Sequence, residues 1–295
     1  LRLNIISTLK KFPNAKVVLI QNNKKPTRIH SRLYHFDYQP GVVSLAIENS
    51  LSHPKEFRNN FWFSAIQRFD ALRSYLENTS EPILHLESDV IVSKDFPLKI
   101  FTTNSLKTAY PMVAENRGVA SSIFIRDLQI AERLVQFAKE VCAIDSRTTD
   151  MELLAQFSKD YQELTTPLPF GPNNYDAYIK EFSLGSIQPS HDLFEGIFDG
   201  NDIGVFLFGT NPRNRRGTST IRTEISGNYA QVRKWDFEFD ESRKFINLEF
   251  NGEVLPIYSV HATSKQVALF FDLTQAHVMR RHLRRDKQTE YKKYY

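Results

Sequence analysis

The sequence contains a single cysteine, Cys142, in 295 residues. One thiol cannot form an intrachain disulfide, so we expect a reducing compartment and an inert, buried side chain. Long apolar runs are also missing, since none approaches the roughly 20 residues that a membrane-spanning helix needs, and no signal peptide precedes the first predicted helix. We therefore expect a soluble, cytoplasmic protein rather than a disulfide-rich secreted domain or an integral membrane protein.

A strong overall charge is absent as well, because the formal net charge is only +4 and the basic excess lies near the C-terminus. A basic terminal helix can dock at the inner face of a membrane on anionic lipid headgroups, or it can simply be solvated, and both interpretations stay open. A nucleic-acid-binding domain would spread basic and aromatic residues over its body, so we expect no nucleic acid partner. The basic residues concerned are Arg280, Arg281, Arg284, Arg285, Lys287, Lys292 and Lys293.

Helical and strand patterns alternate along most of the chain, which predicts an α/β fold with a mostly parallel sheet flanked by helices. The hydrophobic fraction of 41% can fill one large core, so we expect a main domain over residues 1–265 and a basic helical extension over 266–295. The chain begins within a predicted helix, and we expect a preceding segment with a first strand to be missing. The predicted helices are 1–11, 61–76, 95–101 and 127–142, and the predicted strands are 16–20, 82–86, 90–92, 108–113 and 120–125.

Two later segments have their own patterns. Residues 164–233 are rich in Pro, Gly and Asn, and long irregular stretches in a compact domain tend to carry function. Residues 245–250 and 253–261 are strand-like and flank Asn251-Gly252. This arrangement predicts a small C-terminal β-hairpin with a type I′ turn.

Glu87-Ser88-Asp89 is the most informative short motif, because it lies between the apolar runs 82–86 and 90–92. Acids two residues apart at the end of a strand can direct both carboxylates the same way. Such a pair can hold a divalent cation over a diphosphate. The pair alone is a weak signal, so the residues around it in the fold must support the interpretation.

Three further clusters accompany this pair: Asp150 and Glu152 at the start of a helix, Asp199 and Asp202 in a turn, and His261 and Lys265 after a strand. Together they resemble the parts of a GT-A glycosyltransferase over residues 16–265. The likeness is to bacterial sugar transferases of surface-polysaccharide pathways. Their Phe-Asp turn, Gly-Thr-Asp-Pro-like stretch and late His-x-x-Ser-Lys pattern recur here at 198–199, 209–212 and 261–265.

The resemblance implies a Rossmann-like GT-A sheet with a metal site. Glu87, Asp89 and His261 match the metal-binding positions, although the family usually has Asp where this chain has Glu87, and a water-bridged or ribose contact would also suit a glutamate. Imidazole suits Mn²⁺ better than Mg²⁺, so Mn²⁺ is the expected cofactor and Mg²⁺ the alternative. Lys265 matches the cation that contacts the diphosphate.

The resemblance also implies roles for the remaining site residues. Asp150 matches the general base of an inverting enzyme, with Glu152 as the alternative base. Each of these positions has a structural alternative, since Asp favours helix starts and turns in any protein. Arg68 matches an arginine that contacts the donor in this fold. Arg117 and Gly118 match the glycine loop, which also contacts the donor. Asp199 and Asp202 match acids that bind sugar hydroxyls.

The function implied is transfer of a sugar from a nucleoside diphosphate donor, UDP-linked, to a hydroxyl of a glycan or lipid-linked glycan acceptor. A sugar nucleotidyltransferase is one alternative, but it needs a Gly-rich phosphate loop near residues 16–20, and none is visible. A non-catalytic binding or scaffold protein on a degenerate GT-A fold is the other. The glutamate at position 87 favours that second alternative.

Overall fold

The computed structural model describes residues 1–22, 30–55, 57, 60–172, 190–208, 235–240, 242 and 245–262, with the backbone alone at 205, 206 and 208. The helices are α1 (Arg2–Lys11), α2 (Val42–Ser50), α3 (Phe61–Leu76), α4 (Leu98–Thr103), α5 (Leu128–Ile144), α6 (Asp150–Asp160) and α7 (Asp202–Phe208). The strands are β1 (Val17–Gln21), β2 (Leu33–Asp37), β3 (Ile83–Leu86), β4 (Val90–Val92), β5 (Thr108–Ala114), β6 (Arg117–Gly118), β7 (Ser122–Ile125), β8 (Thr165–Leu168), β9 (Ile197–Phe198), β10 (Asp236–Asp240), β11 (Phe245–Phe250) and β12 (Glu253–His261).

Helices α2, α3, α5 and α6 share a buried core with the strands around β5. Helix α5 contributes Leu134, Ala138 and Cys142, which recur every four residues on its apolar face and are almost fully buried. Burial raises the pKa of the Cys142 thiol to about 11. The expectation that this cysteine is an unreactive core residue agrees with that environment.

Two five-stranded sheets frame the candidate site. The first has the order β3-β7-β5-β6, with β8 parallel to β5, and the second has the order β10-β11-β12-β4, with β9 parallel to β12. Strands β1 and β2 form a separate parallel pair. The mixed α/β class predicted from the sequence is confirmed.

The predicted mostly parallel sheet does not match the described strands, because six of their nine pairings are antiparallel. The connections explain the difference. Residues 115–116 join β5 to β6, and residues 119–121 join β6 to β7. A parallel crossover needs about a dozen residues or more, so the two-residue link after β5 makes β6 antiparallel to β5, and β7, which follows β6 without a reversal, is antiparallel to β5 as well.

The predicted C-terminal hairpin is confirmed. Phe250 pairs with Glu253, and the turn residues Asn251 and Gly252 have φ angles of 52° and 79°. Positive φ at both positions is what a type I′ turn requires. The hairpin is no appendage, because β12 also pairs with β4 and carries His261 opposite Val90.

Several predicted features lie outside the described residues: the pattern at 209–212, Lys265 and the extension over 266–295. The predicted irregular stretch 164–233 contains β8, β9 and α7 in its described parts. In the described portion of the chain, no helix combines the length and apolarity needed to cross a membrane.

Candidate active site

The Glu87–Asp89 turn lies where the chain leaves the first sheet and enters the second. Strand β3 ends at Leu86, and the backbone N–H of Glu87 donates to the carbonyl of Ser121 over 3.0 Å. The Glu87 carbonyl then accepts the N–H of Val90, the first residue of β4, over 2.9 Å. The turn is therefore fixed at both ends by backbone hydrogen bonds.

His261, the last residue of β12, reaches the same turn from the other side. The N–H of Ala262 donates to the carbonyl of Asp89 over 2.8 Å, which fixes the end of β12 beside the acids. The imidazole Nε2 lies 3.2 Å from Glu87 Oε2 and 3.4 Å from Asp89 Oδ1. Ligand atoms of the three side chains all lie within 4.8 Å of one another, and we call this group the acid–histidine cluster.

The acids and the imidazole change each other's protonation. Burial lowers the pKa of His261, but the hydrogen bond to Asp89 and the charge of Glu87 outweigh it and raise the pKa to about 9. For Glu87, burial has the opposite effect and raises the pKa. The charges of Arg68 and His261 outweigh burial and lower the pKa of Glu87 to about 2. Near neutral pH the metal-free cluster thus contains an imidazolium between two carboxylates.

The donor set of the cluster fits a divalent cation. Two carboxylates and one neutral imidazole provide oxygen and nitrogen ligands with two negative charges, which suits Mn²⁺ and, less well, Mg²⁺. Nε2 is the ring nitrogen that faces the acids. Nδ1 of His261 is buried and has no hydrogen-bond partner among the described residues, so the ring lacks the second hydrogen bond that usually orients a metal-binding histidine.

Arg68 connects the cluster to a third carboxylate. This residue lies in the middle of α3, and its Nη1 atom donates a short hydrogen bond to Glu87 Oε1. Its Nη2 atom lies 3.6 Å from Asp150 Oδ2. The structure therefore brings Arg68 into the site, with its guanidinium held by two acids.

Of the two predicted bases, only Asp150 lies in the site. Asp150 is the first residue of α6, and burial raises the pKa of its carboxyl, an effect that Arg68 opposes. Glu152 is instead part of a capping box, in which its Oε2 accepts hydrogen bonds from the N–H and Oγ1 of Thr149, each over 2.9 Å. Its position is explained by helix capping.

Asp199, one of the two predicted sugar-binding acids, binds backbone amides in the structure. Its carboxylate accepts four backbone N–H groups and is 1% exposed, so a sugar hydroxyl would have to displace one of them. Burial raises the pKa of Asp199, and the donated hydrogen bonds act against that rise. Asp202, the other predicted sugar-binding acid, is buried at the first position of α7.

Arg117 and Gly118 lie in strand β6 rather than in a loop. A Cβ atom added to Gly118 would lie 2.7 Å from Leu154 Cβ, so this glycine allows β6 to pack closely on α6. Arg117 is half-buried, and its Nε atom has no hydrogen-bond partner within the described ranges. Neither residue contacts the acid–histidine cluster through a bond that the structure describes.

Sequence reasoning missed two residues that support the Glu87–Asp89 turn. Asn4 of α1 donates from Nδ2 to the carbonyls of Ser88 and Val90, over 3.2 and 2.6 Å. Ser121 accepts the N–H of Glu87 and donates from its hydroxyl to the carbonyl of Asp199 over 3.1 Å. No local motif marks either residue, because both act on backbone carbonyls and amides far away in the sequence.

A scan against models of known protein families finds no match to this sequence, and a search of curated proteins finds none either. Any functional assignment must therefore be built on the geometry of the site.

Proposed function

We propose that this protein is a metal-dependent glycosyltransferase of the GT-A type. It would transfer a sugar from a nucleoside diphosphate donor, UDP-linked, to a hydroxyl of a glycan acceptor in bacterial polysaccharide or glycoconjugate synthesis. The acid–histidine cluster is the observation that carries this proposal, because it gathers Glu87 and Asp89 from one strand end and His261 from another. The sequence resemblance independently predicts each of these residues as a metal ligand.

In this proposal Glu87, Asp89 and His261 hold Mn²⁺, or alternatively Mg²⁺. A cation held by these residues would supply positive charge to the diphosphate, whose negative charge increases as the glycosidic bond breaks. Arg68 keeps Glu87 ionised and in place through its hydrogen bond to Oε1. Arg117, Gly118 and Lys265 remain proposed donor contacts, and Lys265 lies outside the described residues.

Asp150 is the proposed general base. Its carboxylate is buried, lies 3.6 Å from Arg68 and is linked through that arginine to the metal-binding acid. A buried carboxylate with a raised pKa is a stronger base than a solvated one, so it can take the proton from an acceptor hydroxyl as that oxygen attacks the anomeric carbon. The basic extension over 266–295 would hold the enzyme at the inner face of a membrane that carries lipid-linked acceptors.

The proposal is tested by calorimetric titration of UDP into the protein with and without Mn²⁺, repeated on Asp89→Ala and His261→Ala. Asp160→Ala is the matched control, because it removes an exposed acid at the far end of α6. We expect UDP to bind only with Mn²⁺, and both site variants to lose that binding while the control keeps it. Turnover is then measured as UDP release from a panel of UDP-sugars.

Other results would favour the other functions. UDP binding that ignores both Mn²⁺ and the two site substitutions would remove the metal site and favour a scaffold protein. Release of pyrophosphate from UTP and a sugar 1-phosphate, without UDP release from any UDP-sugar, would identify a sugar nucleotidyltransferase instead.

A further inference from the structure

We propose that Asp199 is a positioning residue for His261 and that it sets the metal affinity of the acid–histidine cluster. This inference rests on the proposed function only in its metal site, and it requires neither a particular sugar nor a particular acceptor. It assigns to Asp199 a role different from the sugar contact predicted by the sequence.

The central contact is between Asp199 and the backbone of the candidate ligand. Oδ2 of Asp199 accepts the N–H of His261 over 2.9 Å, and the same oxygen accepts the N–H of Gly204 over 2.8 Å. A hydrogen bond to an ionised, buried oxygen is stronger than one between neutral groups. The carboxylate therefore fixes the peptide plane from which the imidazole extends.

The second oxygen of the carboxylate fixes the turn that leads into α7. Oδ1 accepts the N–H of Asn201 over 2.7 Å and the N–H of Ile203 over 3.1 Å. Asn201 has a positive φ of 104°, a conformation that residues other than glycine seldom adopt. One side chain thus holds a strained turn and a ligand strand together.

Gly204 packs against the next peptide, the one that carries the carbonyl of His261. A Cβ atom added to this glycine would lie 1.8 Å from the carbonyl oxygen of His261, so the backbone of α7 lies directly against β12 at this point. His261 is consequently confined by Asp199 at its N–H and by the α7 backbone at its carbonyl.

Asp199 is also connected to the acid side of the cluster. Its carbonyl accepts the hydroxyl of Ser121, and the carbonyl of Ser121 accepts the N–H of Glu87 over 3.0 Å. The two backbones that carry metal ligands therefore meet through Ser121 and Asp199. Within the described residues, Nδ1 of His261 offers no alternative anchor, because it has no hydrogen-bond partner.

These contacts predict a measurable effect on metal binding. Groups that orient a metal ligand typically change metal affinity by about 10- to 100-fold when they are replaced. In Asp199→Asn an amide NH₂ must face backbone N–H donors, so the His261 peptide should shift. We expect Mn²⁺ to bind Asp199→Asn about 10- to 100-fold more weakly than wild type, measured by calorimetry and by electron paramagnetic resonance of free Mn²⁺.

A double-substitution cycle separates positioning from general destabilisation. If Asp199 acts through His261, Asp199→Asn should weaken Mn²⁺ binding in the wild-type background. It should have no further effect on the weaker Mn²⁺ binding that Glu87 and Asp89 retain in His261→Ala, measured at millimolar Mn²⁺. Asp127→Ala is the matched control, because Asp127 caps α5 by accepting the N–H of Ile130 over 3.0 Å, away from the cluster. We expect this control to leave Mn²⁺ affinity unchanged while it lowers the unfolding midpoint.

Three results would overturn the inference. The first is unchanged Mn²⁺ affinity in a folded Asp199→Asn protein. The second is equal weakening of Mn²⁺ binding by Asp199→Asn in the wild-type and His261→Ala backgrounds. Both leave the proposed function intact. The third is a wild type that binds no Mn²⁺, in which case the proposed metal site and the inference both fail.

Ser121→Ala is the alternative variant if Asp199→Asn does not fold. It removes one neutral hydrogen bond to Asp199 and should weaken Mn²⁺ binding about 5-fold, and no change would count against the proposal.

Discussion

Arg68 and Asp150 form an ion pair, Nη2 to Oδ2 over 3.6 Å, in a region where their side chains are only 17% and 9% exposed. The same guanidinium donates to Glu87, so a single cation is shared by the candidate base and a candidate metal ligand. This sharing links α3, β3 and the start of α6. It also means that a change of charge at Asp150 alters the electrostatic environment of Glu87 through Arg68.

Removal of the shared cation should destabilise the protein. Arg68→Met would leave the buried Asp150 without its partner and Glu87 with His261 alone, and breaking a buried ion pair from one side costs about 3–5 kcal/mol. The free energy of unfolding, measured in urea with a chelator present, should fall by that amount. Arg147→Met is the control, because it removes an exposed arginine whose side chain has no described partner, and its effect should stay below about 0.5 kcal/mol. A similar small loss for Arg68→Met would show that the guanidinium contributes little to folding.

The protonation of His261 should make the metal-free protein lose stability as pH rises. Its folded pKa of about 9 lies above the unfolded value of 6.5, so the stabilisation is complete below pH 6.5 and is lost as pH approaches 9. Burial lowers the pKa of Lys11 to about 8, and this group acts in the opposite direction above that pH. The measurement therefore covers pH 6.5 to 8, and over that range the free energy of unfolding should fall by about 1.5 kcal/mol.

Urea unfolding in the presence of a chelator measures this change. His261→Gln keeps a polar side chain of similar size but cannot titrate, so its stability should be nearly flat over the same range. If wild type is as flat as the variant, the imidazole is neutral between the two acids, and the charge pattern described for the cluster is wrong.

Local parts of the fold were predictable because their signals are local. Helix α3 has the bounds predicted from its apolar spacing, and the Asn251-Gly252 turn fixes the hairpin register without help from the rest of the chain. Strand direction was not predictable in the same way. It depends on the short links around β6 and on the pairing of β12 with β4, two segments more than 150 residues apart in the sequence.

The residues of the candidate site also differ in how far the sequence predicts them. The closeness of Glu87, Asp89 and His261 could be predicted, because acids and histidines at element ends are visible in a sequence. The backbone contacts of Asp199 could not be predicted, since a residue type does not reveal the direction in which its carboxylate points. Asn4 was missed for the same reason, because a polar residue in a helix usually faces solvent, whereas this one is 7% exposed.

Asn4 should support the metal site from α1. Its Nδ2 atom holds the carbonyl of Ser88, which lies between the two candidate acid ligands, and the carbonyl of Val90. Asn4→Ala should therefore lower the free energy of unfolding by about 1–3 kcal/mol and weaken Mn²⁺ binding about 10-fold. Asn78→Ala is the control: its Nδ2 donates to Ser74 over 2.9 Å at an exposed helix end, so Mn²⁺ affinity should not change. Equal Mn²⁺ affinity in Asn4→Ala and wild type would restrict Asn4 to a folding role.

Asp150 and Glu152 can be separated by a pair of isosteric substitutions. Asp150→Asn removes the proposed base, and the rate of UDP release from the preferred UDP-sugar should fall about 10²- to 10⁴-fold, while UDP and Mn²⁺ still bind. Glu152→Gln removes one charge from the same helix turn but keeps the capping box, because glutamine can also accept the hydrogen bonds from Thr149. This variant should turn over at the wild-type rate. Loss of activity in Glu152→Gln with full activity in Asp150→Asn would reverse the two assignments, and full activity in both would mean that the base lies elsewhere.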